Sequence, residues 1–207
     1  MINQDRYKRL RSLLHQVNRQ RRRQAQQIDI LCKDLISCQR RFIMDLGSIS
    51  FAAGLYKSML GVTSLTRLLE IAAGAICQHI PAVSILFYIR ANGVFRQYIT
   101  EDRAGQADDH NRLMEAIGTE LAEAICRSNK VCNLEDLIML GLQASPKLTA
   151  RLSVTSFPIA LDGRSIGFVL LCRSCARPLT ETEVQQVLAV TAGLAPALQA
   201  CEKVPSN

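Results

Sequence analysis

Apolar residues recur at heptad spacing from Tyr7 to Met59. With Tyr7 as position a, the a series is Tyr7, Leu14, Arg21, Ile28, Leu35, Phe42, Ile49 and Tyr56, and the d series is Leu10, Val17, Gln24, Leu31, Cys38, Asp45, Ala52 and Met59. Thirteen of these sixteen positions are apolar, against about eight expected from the 48% average. The pattern predicts a coiled-coil-like helix that finds a partner, and a homodimer is the expectation. Its seam is assigned to Leu10, Leu14, Val17, Ile28, Leu31, Leu35, Cys38 and Phe42, with Arg21 and Gln24 as adjacent polar interruptions. From Phe42 onward the apolar positions spread to Ile43, Met44, Leu46, Phe51, Leu55 and Leu60, a face wide enough to pack on a globular domain as well. Gly61 and the Val62-Thr63-Ser64 segment break the helix. The chain therefore divides into a basic arm at 1–61, a domain at 62–200 and a flexible tail at 201–207.

The period then changes. Leu65, Leu68, Leu69, Ala72 and Ile76 mark a helix that Pro81 stops. Val83–Arg90 is rich in β-branched and aromatic residues, and Asn92-Gly93 supplies a type I′ turn into Val94–Thr100, so a β-hairpin is predicted. Leu113, Ile117, Leu121 and Ile125 line one helix that ends near Asn129. Val131–Leu134 reads as a short strand, and the state of Leu137–Leu142 is left open. Leu152–Leu161 and Ser165–Cys172 flank Asp162-Gly163 as a second, central hairpin. Thr180 and Glu183 then form a capping box, and a helix buries Val184, Val187, Leu188, Thr191, Leu194 and Leu198, with Pro196 expected to kink or fray its last turn.

The order of elements over Ser64–Ala200 resembles a GAF domain. The best-matching text is the run from Ser153 to Leu171, a strand with a proline, an Asp-Gly turn and a strand centred on Gly167, followed by Arg177-Pro178-Leu179-Thr180-Glu181-Thr182-Glu183. The resemblance implies an α+β fold. An antiparallel sheet of five or six strands would carry flanking helices, the dimer-forming terminal ones on one face and a pocket on the other. It implies a non-catalytic signalling or regulatory protein that binds a small ligand or a partner and transmits its state through a dimeric helix. Three activities of the family find no match. Asn129-Lys130-Val131 begins like the cyclic-nucleotide motif, but the Phe and the Asp-Glu pair do not follow. None of Cys77, Cys126 or Cys132 is followed directly by a histidine, as bilin attachment requires. Gly118-Thr119-Glu120 lacks the cysteine of the methionine sulfoxide reductases.

Charge is unevenly placed. Residues 1–47 hold 11 Lys+Arg and 4 Asp+Glu, whereas residues 48–207 hold 14 of each, so the whole net charge of +7 belongs to the arm. Arg19, Arg21, Arg22 and Arg23 form an anion-binding candidate, and an adaptor whose arm docks on nucleic acid, a membrane or a partner's helix is the alternative function. The start of the chain lacks the apolar core of a secretory signal, and the eight cysteines read as reduced thiols, which predicts a cytoplasmic address. Cys38 would face its own copy in a parallel pair, where oxidation could crosslink the arm. Cys172-Arg173-Ser174-Cys175 is a lone C-x-x-C, Cys126 and Cys132 read as buried small side chains, and His15, His79 and His110 share no ligand spacing, so no metal site is assigned. No catalytic signature is present, and no cofactor is named. Phe87, Phe95, Tyr98, Ser153, Thr155, Phe157 and Phe168 are the candidate pocket residues, chosen because alternate strand residues share a face.

Overall fold

A computed structural model describes residues 2–91, 93–102, 107–143 and 145–202. The chain forms two compact units, 1–49 and 50–207. Helix α1 runs Ile2–Met59, and its segment from Ser50 onward belongs to the second unit. In the first unit the predicted stripe is solvent-facing: Leu10, Leu14, Val17, Ile28, Leu31, Leu35 and Phe42 are each more than half exposed. Ile43, Met44 and Leu46 are exposed too; within the second unit, Phe51, Leu55 and Met59 of α1 join the core. Gly61, at φ +77, lets the chain leave α1 in a conformation that side chains resist.

In the second unit, α2 (Leu65–His79) leads to β1 (Ser84–Ala91) and β2 (Val94–Asp102). Then follow α3 (Ala107–Ala116), α4 (Thr119–Ser128), β3 (Cys132–Asn133), α5 (Leu134–Met139), α6 (Pro146–Thr149), β4 (Leu152–Leu161), β5 (Arg164–Ser174) and α7 (Glu181–Glu202). The strands form one antiparallel sheet in the order β2-β1-β5-β4-β3. Strands β1 and β5 are central and covered on both faces, which is why their text is continuously apolar rather than alternating. Asp162 (φ 49) and Gly163 (φ 77) adopt the paired positive dihedrals that the type I′ turn demands.

Two cores result. On one face Ile85, Phe87, Ile89, Phe157, Ile159, Val169 and Leu171 pack with α2, α7 and the end of α1. On the other, Leu86, Tyr88, Val154, Phe168, Leu170 and Cys172 pack with α3, α4 and α5. Among the described residues, one helix (Glu181–Cys201) is long and apolar enough to cross a membrane. Its Val187, Val190, Leu194 and Leu198 are instead spent on the first core.

The structure corrects two local expectations and settles two segments on which the sequence is silent. The helix read through Leu113 and Ile125 is two helices, because Gly118 turns extended (φ −74, ψ 173) and caps α4. The open segment Leu137–Leu142 begins inside α5, where Asn133 and Asp136 form a capping box at 2.9 Å in both directions. Helix α6 was not foreseen. Helix α7 continues through Pro196 to Glu202 instead of fraying there. The tail 203–207 lies outside the described residues.

The Thr180 capping box is present: the Thr180 N–H donates to Glu183 Oε2 at 2.7 Å, and the Glu183 N–H donates to Thr180 Oγ1 at 3.3 Å. The same carboxylate accepts Arg173 Nη1 at 3.1 Å. Arg173 also donates from Nη2 to the Pro178 carbonyl at 3.0 Å, and from Nε to that of Arg177. One guanidinium thereby ties β5, the connecting loop and the start of α7 together.

Candidate functional site

Strand alternation divides the seven candidate pocket residues between the two cores. Phe87 and Phe157 are fully buried against α2 and α7, with Tyr98 packed beside them. Ser153 and Thr155 alternate in phase with Phe157 and are half-buried on that face. Phe168 is fully buried in the other core, with Phe95 at its margin. The seven do not share a pocket.

A different group stands out under α3, α4 and α5. The Tyr88 ring stacks on Phe168 with centroids 4.6 Å apart and planes 8° from parallel. Phe95 lies 6.4 Å from the Phe168 ring, and the Arg90 guanidinium sits 4.9 Å above Phe95. Tyr88 is 1% exposed and Ser156 fully buried, and neither side-chain hydroxyl has a hydrogen-bond partner. A buried hydroxyl without a bond has lost its hydration for nothing, so such atoms mark a place suited to a polar ligand atom. Burial first, and the nearby Cys172 second, push the Tyr88 phenol above its ordinary range, so it stays neutral as a donor and acceptor.

That orphaned hydroxyl predicts the outcome of its removal. Tyr88→Phe should stabilise the unliganded protein by about 1 kcal/mol, since the ring stack is kept and an unsatisfied polar group disappears. Urea denaturation reads it. A clear loss of stability would mean that the hydroxyl is bonded.

Burial raises the pKa of the Cys172 and Cys126 thiols, and for Cys126 it outweighs the lowering effect of Ser165 and Arg90. In the C-x-x-C, Cys172 is buried while the exposed Cys175 donates to the Ala150 carbonyl at 3.0 Å. None of the eight cysteines is in a disulfide, and the described residues contain no cluster suited to a metal ion. His79 is occupied locally, with Nδ1 3.1 Å from the Ala75 carbonyl and its ring 4.5 Å from Phe51. The side chain of His110 and the acidic side chains at 101, 102, 108 and 109 lie outside the described residues.

Among the described residues, open cavities lie on the opposite face. One, about 430 Å³, lies by Thr63, Ser64, Leu65, Ile89, Leu161 and Leu198, where α2 begins. Another, about 400 Å³, is an apolar groove by Tyr56, Leu60, Val62, Gly193, Pro196 and Ala197. Neither contains a candidate pocket residue. The basic candidates Arg19, Arg21, Arg22 and Arg23 are all exposed on α1 in the first unit.

No protein-family model and no curated protein matches the chain. Solved structures do. The GAF domain of a phosphoenolpyruvate-protein phosphotransferase from Coxiella burnetii aligns with TM-score 0.55 and 14% identity, over 76% of this chain and 95% of that one. A GAF domain/HD domain protein from Geobacter sulfurreducens aligns with TM-score 0.53 and 16% identity, over 70% and 99%. The GAF domain of the cyanobacteriochrome TePixJ aligns with TM-score 0.51 and 14% identity, over 70% and 96%. At such identities what is shared is architecture: an antiparallel sheet between terminal helices on one face and short helices on the other. This chain therefore has a GAF-like fold, carried on a long N-terminal helix.

Proposed function

We propose that the chain is a non-catalytic regulatory module of the cytoplasm that pairs through α1 and reports the occupancy of its GAF-like unit to another protein. The observation that carries this reading is the solvent-facing heptad stripe of α1, a helix whose last turns, through Leu55 and Met59, enter the core beneath the sheet. An apolar seam in water is a cost that a second copy removes. The small-molecule site lies at Tyr88 and Ser156, between the sheet and α3, α4 and α5. The GAF domain of the cyanobacteriochrome TePixJ has a similar fold, which is compatible with a regulatory role. Occupancy shifts the balance between two packings of the seam near Arg21, Gln24 and Asp45, as differential affinity for two states requires.

Native mass spectrometry of the whole protein tests both halves of the proposal. The expected result is a dimer, and Leu31→Asp with Leu35→Asp should weaken pairing at least a hundredfold, because two charges per chain enter the seam. A co-purifying small molecule lost in Tyr88→Phe would place the site. A monomer at micromolar concentration would sink the pairing.

A further inference from the structure

The arginines of α1 are not accounted for by pairing. Between Asp5 and Asp29 the chain has no acidic residue, yet it carries Arg6, Lys8, Arg9, Arg11, Arg19, Arg21, Arg22 and Arg23. Among the described residues, the ion pair of this helix is Lys33–Asp29 at 2.9 Å, beyond the basic stretch. Arg19, Arg22 and Arg23 fall at f, b and c, the outer positions of the heptad, opposite the stripe of Leu10, Leu14 and Val17. Pairing would therefore bury the leucines and leave these cations facing outward. Only Arg21, at an a position, would face its own copy, and with Gln24 beside it the seam is weakest there.

From this arrangement we propose that the basic stretch of α1 docks on double-stranded DNA through the phosphates bordering the major groove. Arg11 and Arg19 are separated by about 12 Å along a helix axis, and Arg11 and Arg23 by about 18 Å. The major groove of B-form DNA is about 12 Å wide. Cations at both ends of that span reach the two phosphate rows that border the groove, and the guanidinium fork suits phosphate oxygens better than an ammonium does. An anionic bilayer fits less well. The apolar stripe that would enter the lipid is taken by the seam, and Tyr7, the phenolic side chain of the basic stretch, sits at an a position of that same stripe. Double-stranded RNA fits less well too, because its major groove is too deep and narrow for a helix. The contacts reach the backbone, so binding is independent of sequence and steeply salt-dependent.

The inference rests on pairing of α1, and one set of measurements separates the two. Fluorescence anisotropy of a labelled duplex of about 30 base pairs with the full-length chain should show binding that weakens about ten-thousandfold between 50 and 200 mM salt, as about eight phosphate contacts per dimer require. In Arg19→Gln/Arg22→Gln/Arg23→Gln the same salt range should change affinity only about tenfold. Native mass spectrometry should find that variant still dimeric. Absence of binding at 50 mM salt, an unaltered salt slope in the triple variant, equal affinity for an RNA duplex, or tighter binding to phosphatidylglycerol vesicles would each overturn DNA docking. A monomeric wild type that binds DNA with half the slope would overturn pairing and leave the docking in place.

Discussion

Gly167→Ala is expected to unfold the second unit, or to leave it so weak that it melts in low urea. Gly167 lies on β5 opposite Ile89 of β1, in the middle of the sheet. A Cβ built there meets the Tyr88 carbonyl oxygen inside van der Waals contact and lies 3.1 Å from Ile89 Cα. Those are backbone atoms of the neighbouring central strand, held by pairing on both sides, so relief requires parting β1 from β5. Overpacking of a core costs about 1–3 kcal/mol when side chains can adjust. Here they cannot, and about 3 kcal/mol or more is expected from a total of about 5–15 kcal/mol. Gly193→Ala is the internal control. The three atoms nearest its Cβ all belong to the Tyr56 ring, and Tyr56 is 43% exposed and can swing outward. The urea midpoint should fall far more for Gly167→Ala than for Gly193→Ala, and equal midpoints would refute the argument.

The second large effect belongs to Arg173. Replacing it with methionine keeps much of the volume but leaves Glu183 as a charge without its partner, and leaves the carbonyls of Arg177 and Pro178 without their donor. The pair is only 10% and 17% exposed, so a loss of about 3–5 kcal/mol is expected. Acidity gives an independent readout. Burial alone would raise the Glu183 carboxyl, but hydrogen bonds from the Thr180 backbone, Arg173 and the Thr180 hydroxyl, with the Arg173 charge, outweigh it and hold the group below the ordinary carboxylate range. A depressed carboxyl stabilises the fold fully above its unfolded pKa, near 4.3 for glutamate. That stabilisation is lost as pH falls through the lower folded value. Thermal melts from pH 6 to pH 2 should show this loss in the wild type and much less of it in Arg173→Met. Parallel curves would remove the ion pair from the account.

Local signals in the text were legible because one or two residue types decide them. Asp162-Gly163 takes positive φ at both positions, Thr180 and Glu183 close their box, and heptad spacing marks a helix through Met59. What stayed hidden depends on which strand lies beside which. Phe87 and Phe168 look equivalent in the chain, yet β1 pairs with β5 so that Phe87 opposes Val169 and Tyr88 opposes Phe168, which sends the two phenylalanines to opposite cores. The same register brings Tyr88 and Ser156 under one roof of helices, although nothing in a lone Tyr or Ser announces an unbonded hydroxyl. Arg173 was visible only as the interior of a C-x-x-C. Its role needs the return of α7 across the end of β5. Gly118 was passed over because Leu113, Ile117, Leu121 and Ile125 keep helical spacing across it; a glycine breaks a helix more easily than the spacing reveals.

Strand β2 is one margin of the described sheet, and Val94 and Ile99 on it are each 62% exposed. An open margin with apolar side chains is a template on which further strands can stack. Arg96, exposed between them, is the charge that makes such stacking unfavourable. That cation therefore helps to keep concentrated stocks clear, and high salt, which mutes it, should promote clouding.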